Sequence, residues 1–365
     1  MRIAPFQFLA LMAVTATLGA CTGTESELGS RTSTTDDGAQ VTATSAPSST
    51  STTAPAAATT ADGGCGALEA KTVATVDEPE LTELSGLVAS RRHPGTVWAT
   101  NDSGDRARLF ALDLRPATSG ATSGSVGVGA VDIDLDGIDP VDVEDLASDG
   151  DRLYVADIGD NDAVRSEIRV YRLAEPDPEG AGTAGGVETF RFRYPDGPRD
   201  AEALFVDPVS GDLIIIDKRL TDEEGRLRIG APAPATVFAA SPPFDPDAVT
   251  DLEAVGTIDL AALAARSTAA PPPGVTGVPG LSGVVTGADI RSDGALVALR
   301  TYRTVWLFPR AQGQTVAEAL AGPGCEAATV VEAQGEAVAL LDPDTSRFVT
   351  IGEGTAPAVN VSADG

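Results

Sequence analysis

The chain has 365 residues with 54 acidic and 25 basic side chains, and its formal net charge is −29 at pH 7. A surface this acidic repels phosphate backbones and attracts cations, so the charge argues against nucleic acid as a partner. The 3 cysteines and 1 histidine do not stand at metal-ligand spacing, which argues against a zinc site.

Residues 1–20 have the pattern of a signal peptide. Arg2 supplies a positive start, and Phe6–Val14 is an apolar run too short to span a bilayer. The segment Leu18–Cys21, in which small residues precede a cysteine, resembles the bacterial lipobox. This resemblance implies cleavage before Cys21 and a diacylglycerol on its sulfur, which would anchor the protein to a membrane without spanning it. The alternative is an ordinary signal peptide with an incidental cysteine.

Residues 21–63 are predicted to form a disordered linker. They are mostly Thr, Ser, Ala and Gly, and such a segment buries too little apolar surface to offset the entropy of ordering. With lipid on Cys21, the linker would tether the folded part, residues 64–365, to the extracytoplasmic side of the cell membrane. A glycosylated stalk is the alternative. We expect the protein to be a monomer.

One pattern recurs along residues 64–365. An acidic residue opens a short apolar strand, and a second and a third strand follow after short turns. The opening acids are Glu83, Glu144, Glu202, Asp289 and, in an abbreviated fifth copy, Glu336. Repeats of four-stranded size are typical of radial β architectures. The sequence therefore predicts an all-β propeller of about five four-stranded blades, or six if residues 231–263 form two. A β-sandwich or an irregular solenoid is the alternative.

The two ends of this domain are predicted to meet. The fifth repeat runs short of strands, whereas Lys71–Val76 forms a strand that belongs to no repeat. That strand would complete the last blade and remove two exposed sheet edges. Cys65 and Cys325 remain as a pair once Cys21 carries lipid, so we expect a disulfide that pins the seam by joining this strand to the last blade. The fourth blade closes with Thr315–Leu320, as a strand or as a short helix.

Acidic and amide side chains are predicted to gather at one end of the propeller axis. In a four-stranded blade, the start of the innermost strand and the end of the second strand lie on the same face. The side chains expected there are Glu83, Glu144, Glu202, Asp289 and Glu336 from the first strands, and Asn101, Asp102, Asp157, Asp160 and Asn161 from the second. Such oxygen ligands without His or Cys indicate a hard cation, Ca²⁺ before Zn²⁺. The alternative is that these acids cap backbone N–H groups or pair with Arg, as buried charges must.

Two of the repeat motifs resemble those of known propellers. Glu83–Leu87 and Glu202–Leu204 are similar to the inner-strand motifs of phytase-like esterase propellers, and the wider arrangement resembles the six-bladed gluconolactonase and regucalcin-type hydrolases. The resemblance implies a divalent cation held by a Glu, an Asn and an Asp at the mouth of the central channel. The matching positions are Glu83, Asn101, and Asp157 or Asn161. The predicted count of about five blades departs from the six of these relatives.

Two weaker motifs favour ordinary structure. Asp132–Gly137 begins like an EF-hand loop, but Val143 stands where the closing Glu is required, and the acids alternate with apolar residues as in a strand. His93, the sole histidine, lies in a turn, and no Gly-x-Ser-x-Gly elbow exists that would pair it with a nucleophilic serine.

Together these features predict a surface-tethered propeller lipoprotein that binds a small-molecule or protein ligand at an acidic mouth occupied by Ca²⁺. A metal-dependent hydrolase of lactones or phosphate esters is the second hypothesis, in which a channel carboxylate acts as base. A structural scaffold of the cell envelope is the third, and it predicts no deep pocket.

Overall fold

Nearly all regular secondary structure in the described residues is β-strand, because short apolar and β-branched runs alternate with turns rich in Gly, Pro and Asp. The computed structural model describes residue 65 and residues 68–115, 126–218, 234–269, 283–341 and 345–364. The predicted signal peptide, the predicted lipid-bearing Cys21 and the linker lie outside these residues. Among the residues that are described, no helix is long and apolar enough to cross a membrane.

The strands form five sheets arranged as the blades of a β-propeller. From the axis outward, the first blade contains β2 (Leu84–Ala89), β3 (Thr96–Asn101), β4 (Arg108–Asp113) and β6 (Ala130–Leu135). The second contains β7 (Val143–Ser148), β8 (Arg152–Asp157), β9 (Ile168–Ala174) and β11 (Glu188–Arg193). The third contains β12 (Ala201–Val206), β13 (Leu213–Asp217), β14 (Ala235–Ala240) and β16 (Glu253–Ile258).

The last two blades follow the same plan. The fourth contains β17 (Val285–Ile290), β18 (Leu296–Thr301), β19 (Val305–Pro309) and β20 (Cys325–Ala327). The fifth contains β21 (Gly335–Leu340), β22 (Phe348–Gly352), β23 (Ala358–Asp364) and β1 (Leu68–Val76). In each blade the four strands pair antiparallel in this order. The prediction of five four-stranded blades is confirmed.

The first strand of every blade faces the axis, and each of these five strands contacts its two neighbours in the ring. Apolar residues on the sheet faces fill the space between adjacent blades, with Trp98 and Trp306 completely buried. Because the inner strands are buried over almost their whole length, any charged side chain on them must find partners inside the protein.

The N-terminal strand closes the ring. β1 pairs antiparallel with β23, with Lys71 opposite Val361 and Thr75 opposite Ala358. The first and last described strands therefore share one sheet, so the two ends of the domain hold each other. The predicted closure of the fifth blade by this strand is confirmed.

Further strands tie adjacent blades together at the outer rim. Each precedes the outermost strand of one blade and pairs in parallel with the outermost strand of the blade before it. These strands are β5 (Val126–Val128) on β1, β10 (Gly182–Ala184) on β6 and β15 (Val249–Asp251) on β11. The pairing covers N–H and C=O groups that would otherwise invite association with other chains.

Between the third and fourth blades, a helix rather than a strand packs against the outermost strand of the preceding blade. The helix α1 (Leu260–Arg266) follows β16, and α2 (Val316–Leu320) packs against β16. Thr315 caps α2, and Glu318 completes a capping box with it. The stretch for which the sequence predicts a strand or a helix is therefore a helix, and β20 closes the fourth blade instead.

The junction between the fourth and fifth blades is covalent. Cys65 and Cys325 form a disulfide with their Cα atoms 6.0 Å apart, which confirms the predicted pair. The predicted position of Cys325 in the last blade is wrong. Cys65 precedes β1, which belongs to the fifth and last blade, whereas Cys325 begins β20, the outer strand of the fourth. The bond thus ties two neighbouring blades where the ring closes.

Candidate metal centre at the mouth of the propeller

Each blade carries a β-bulge at the start of its innermost strand. In the second blade, Val143 pairs with Asp157 and Asp145 pairs with Ala156, so Glu144 is the extra residue. The corresponding residues of the five blades are Ser85, Glu144, Glu202, Thr286 and Glu336. A bulge releases a residue from the alternation of the strand and re-aims its side chain. We call the side of the propeller that carries these five residues the mouth face, and the opposite side the rear face.

Five carboxylates converge on the mouth face. Ligand oxygens of Asp102, Asp142 and Glu144 lie within 4.8 Å of one another, and so do those of Glu144, Asp200 and Glu202. Glu144 belongs to both triads and is only 3% exposed. Two of the acids precede the bulged Glu residues by two positions, and Asp102 follows β3 directly. The first three blades therefore supply both triads.

Neighbouring groups hold Glu144 in this position. The Ser85 hydroxyl donates to the Glu144 carbonyl oxygen at 2.7 Å and to Glu144 Oε2 at 3.0 Å. A Cβ on Gly159 would lie 2.6 Å from Asp142 Oδ2 and closer still to Glu144 Oε1. Arg165 fixes the Gly159 loop by donating to the Gly159 carbonyl oxygen at 2.7 Å. Only glycine lets the backbone approach the two carboxylates this closely.

One lysine lies among these acids. Lys218 Nζ forms a buried ion pair with Glu202 and lies 5.6 Å from the centroid of the Tyr302 ring. Burial by itself lowers the pKa of Lys218, but the charge of Glu202 and of the surrounding acids raises it well above its usual value. Lys218 therefore stays protonated, and a single ammonium cannot neutralise five carboxylates.

Four buried carboxyl groups on the mouth face resist ionisation. Burial raises the pKa of Asp142 to about 7, and the charge of Asp102 adds to this effect. Burial also raises the pKa of Glu202 to about 7, although its ion pair opposes the change, and that of Glu336 to about 8. Burial and the charge of Glu202 raise the pKa of Glu144 well above its usual range. Protons relieve the mutual repulsion of these groups, and a bound cation would do the same.

Asp145 closes the axis beneath this cluster. Its Oδ2 accepts hydrogen bonds from the Leu204 N–H at 2.9 Å and the Ala288 N–H at 3.3 Å, and its Oδ1 accepts one from the Leu146 N–H at 2.8 Å. One fully buried carboxylate thus links the inner strands of the second, third and fourth blades. Asp145 therefore forms the floor of the candidate metal centre.

Three of the predicted ligands occupy the bulges. Glu144 and Glu202 are members of the triads. Glu336 takes the same place in the fifth blade and is 8% exposed, but among the described residues it joins neither triad. Burial raises the pKa of Glu336, and the nearby charge of Glu202 raises it further. The sequence thus finds the positions of these three acids correctly.

Glu83 and Asn101 serve the loops of the first blade. Glu83 precedes β2 and is exposed. The Asn101 side-chain amide donates to the Glu80 carbonyl oxygen at 2.8 Å and to Asp105 Oδ2 at 2.7 Å, and its oxygen accepts from the Glu83 N–H at 3.2 Å. Neither residue is a member of a described triad. The ligand set implied by the gluconolactonase resemblance is therefore not assembled here.

Asp157 has a similar structural role in the second blade. It is fully buried, and its Oδ1 accepts from the Asp142 N–H at 3.0 Å and pairs with Arg165 at 2.8 Å. Its Oδ2 accepts from the Tyr171 hydroxyl at 3.1 Å. Because both oxygens are committed, Asp157 orients Asp142 rather than joining it as a ligand. Asn161 is exposed in the following turn.

The predicted placement of Asp289 is wrong. Asp289 is the fifth residue of β17, toward the rear face, and its carboxylate accepts from the N–H groups of Ile290 at 2.7 Å and Leu340 at 2.8 Å. The equivalent of Glu144 in this blade is Thr286, whose hydroxyl donates to the Gly335 carbonyl oxygen at 2.9 Å. Asp289 resembles the other opening acids only because it too stands next to apolar residues.

Asp142 and Asp200 are candidate ligands that the sequence prediction does not include. Each forms an Asp-x-Glu motif with the bulged acid that follows, and the motif occurs at the start of two successive inner strands. In a regular strand, residues two apart point to the same face, and here the second acid of each motif is itself the bulged residue. The repeated motif is a signal that could have identified both residues.

The two weaker candidates have ordinary roles. Asp132 and Asp134 lie in β6, and Arg106 pairs with both, with Nε 2.7 Å from Asp134 Oδ1. His93 lies in the turn between β2 and β3, where its backbone N–H donates to Ser90 Oγ at 2.8 Å. Neither belongs to the mouth.

The chemistry of the triads fits a hard divalent cation. Every ligand atom is a carboxylate oxygen, which Ca²⁺ and Mg²⁺ prefer over the nitrogen and sulfur ligands typical of zinc. Ca²⁺ also accepts irregular sets of six to eight oxygens, so carboxylates from three blades together with water would suit it.

Comparison with known proteins finds only distant structural similarity. No protein-family model and no curated protein sequence matches the chain. Among solved structures, the chain is similar to the PQQ-bound aldose sugar dehydrogenase of Streptomyces coelicolor, with 13% identity, coverage of 81% of this chain and 98% of that one, and a TM-score of 0.41. It is also similar to a calcium structure of the Trichoderma reesei family AA12 carbohydrate-active enzyme. The identity is 10%, the match covers 83% of this chain and 96% of that one, and the TM-score is 0.42. For the glutaminyl cyclase of Myxococcus xanthus, the identity is 15%, the match covers 80% of this chain and 95% of that one, and the TM-score is 0.40. Likeness at this level carries no argument about activity.

Proposed function

We propose that the protein binds a divalent cation at the mouth face and uses it to bind a ligand. The observation that carries this proposal is the position of Glu144, a nearly fully buried acid shared by two carboxylate triads. Buried carboxylates this close repel one another strongly unless protons, basic side chains or a cation compensate them. Near neutral pH one lysine is too little, so a cation is the natural counter-charge.

Calcium is the cation that we favour. The ligand atoms are all oxygens, and Ca²⁺ tolerates the irregular geometry of side chains drawn from three blades. An extracytoplasmic protein meets abundant Ca²⁺, so affinity in the millimolar range would suffice. A ligand approaching from the mouth face would then complete the coordination with an oxygen of its own.

The location of the protein is part of the same proposal. We propose that Cys21 carries lipid, which would attach the protein to the extracytoplasmic side of the cell membrane. Cys21→Ser should abolish membrane fractionation, and an unchanged membrane fraction would contradict lipidation.

A metal-dependent hydrolase of lactones or phosphate esters is the second candidate. One observation favours it: the pKa of Asp142 is raised to about 7, first by burial, so near neutrality this group can accept a proton from an attacking water. The cation would supply the Lewis acid that such a reaction requires. Hydrolysis of a lactone or of p-nitrophenyl phosphate that depends on Ca²⁺ and is lost in Asp142→Asn would support this candidate. A complete lack of turnover would leave binding as the function.

A thermal titration tests the metal centre. A ligand present at ten times its dissociation constant stabilises a protein by about 1.4 kcal/mol, which corresponds to a rise of roughly 2–4 °C in the melting temperature of a domain of this size. Ca²⁺ should produce this rise in the wild type and much less in Glu144→Gln. The control is Glu253→Gln, which makes the same change at an exposed position of β16.

The opposite results would remove the metal centre from consideration. If saturating Ca²⁺ and Mg²⁺ leave the melting temperature of the wild type unmoved, the triads are structural. If Glu144→Gln responds as strongly as Glu253→Gln, a cation binds somewhere other than the triads. Either outcome would also end the hydrolase candidate.

A further inference from the structure

A cavity of about 460 Å³ opens toward the rear face, away from the metal centre. The end of β2 and the turn after it form one wall, the end of β17 forms the second, and the end of β21 forms the third. The cavity thus lies where the first, fourth and fifth blades meet. Its volume is in the range of pockets that bind small organic ligands.

The lining combines an apolar wall with basic side chains and one carboxylate, that of Asp289. Buried apolar residues contribute Val88, Val97, Leu114, Ile290 and Leu340. Three half-buried arginines, Arg91, Arg291 and Arg347, also line the cavity. An apolar body with a negatively charged end would match such a lining, because the end could bind a guanidinium while the body leaves water.

Arg91 has the guanidinium that is available to a ligand. Among the described residues, its side chain donates one hydrogen bond, to the Ile290 carbonyl oxygen at 3.4 Å, and no carboxylate comes within 4.0 Å of it. Arg291 differs, since two of its nitrogens bind Asp293, each at 2.8 Å. A half-buried guanidinium with unused donors is a ready partner for a carboxylate.

The neighbouring Asp289 does not account for Arg91. Both Asp289 oxygens already accept backbone hydrogen bonds, from Ile290 and Leu340, and the guanidinium lies beyond ion-pair distance. Arg91 lowers the pKa of Asp289, but burial outweighs it and raises that pKa to about 6. Asp289 therefore accepts no hydrogen bond from the Arg91 guanidinium, whether its carboxyl group is ionised or protonated.

The acidic mouth does not prevent an anion from binding here. The inner strands have six residues each, and six residues of strand span about 20 Å. Coulomb repulsion falls with distance, so the mouth acids repel an anion in the rear cavity far less than carboxylates in direct contact would.

We propose that the rear cavity binds a small aliphatic carboxylate, with the carboxylate on Arg91 and the hydrocarbon chain against the apolar wall. This site is independent of the metal centre and needs no cation. The probe is octanoate, titrated into the wild-type protein in EDTA and followed by isothermal calorimetry. EDTA removes divalent cations, so the result does not depend on whether the mouth binds Ca²⁺.

Two variants and a control test the two halves of the site. Arg91→Gln should weaken octanoate binding by about tenfold or more, the usual cost of losing hydrogen bonds to a charged group. Ala89→Leu, which fills the lining at the end of β2 without changing charge, should weaken binding to a similar extent. Arg92→Gln changes the same charge on the next residue, which is exposed and outside the lining, and should bind as the wild type does.

Several outcomes would overturn the proposal. Octanoate that does not bind the wild type at millimolar concentration would exclude the site. Equal losses in Arg91→Gln and Arg92→Gln would show that only general charge matters. Inorganic phosphate that binds as tightly as octanoate would show that the apolar wall contributes nothing. Should Arg91→Gln fail to fold, unchanged binding by Ala89→Leu would still refute the site.

Discussion

Raising the pH in the absence of divalent cations should destabilise the propeller. Glu202 shows the reason: burial raises its pKa from the ordinary 4.5 to about 7 in the folded protein. Above pH 4.5 the unfolded chain has lost this proton while the folded protein still holds it. The proton-linked stability is therefore fully present below about pH 4.5 and is lost as the pH rises through about 7.

The size of this effect follows from the two pKa values. A change from 4.5 to about 7 corresponds to about 3 kcal/mol at 1.36 kcal/mol for each pH unit, and most of it is lost between about pH 5 and pH 8. Asp142 and Glu336, whose pKa values are raised to about 7 and about 8, act in the same direction. Since these groups interact, their effects do not add in full.

Urea unfolding in EDTA at a series of pH values measures this loss. The free energy of unfolding should fall by at least about 2 kcal/mol between about pH 5 and pH 8, and Glu202→Gln should flatten the curve. Ca²⁺ should restore more stability at pH 8 than at pH 5, because a cation competes with protons for the same oxygens. A free energy of unfolding that stays constant or rises over this range would refute the account of the mouth.

Two further predictions follow from the packing. Replacing Cys65 and Cys325 with serine removes a covalent link between residues 260 positions apart. The chain-entropy model gives a loss in the free energy of unfolding of up to about 5 kcal/mol. An unchanged midpoint of urea unfolding would contradict this prediction. Gly159→Ala should destabilise the protein and abolish its response to Ca²⁺, because the new methyl group would displace Glu144. Gly185→Ala, where a Cβ meets no atom within 4 Å, is its control, and a normal response in Gly159→Ala would show that the loop can move away.

Local sequence signals located several parts of the candidate site. Glu144 and Glu202 open strands whose apolar runs are plain in the sequence. The resemblance to hydrolase propellers points to Glu83, Asn101 and Asp157 instead. The side chains of Asn101 and Asp157 hold loops, and Glu83 is exposed. Residue type and proximity to a strand are therefore not enough to distinguish a ligand from a hydrogen-bonding partner of the backbone.

The strand bulges explain the remaining differences. One extra residue in each inner strand decides which side chain is re-aimed at the mouth, and it makes Thr286 rather than Asp289 the counterpart of Glu144. A bulge of this kind depends on pairing with the neighbouring strand, and no feature of the strand's own composition marks it. The triads themselves join residues of three blades, so their distances depend on how the blades pack.

The sequence by itself determined the repeat, the blade count, closure by the N-terminal strand and the Cys65–Cys325 pair, because these depend on period-two apolar patterns and on counting strands and cysteines. Only the tertiary structure decided that Asp142 and Asp200 join Glu144, that Asp157 supports Asp142, and that a cavity containing Arg91 opens on the rear face. Those facts depend on side chains distant in sequence meeting between blades, and the register and packing of the ring fix such meetings.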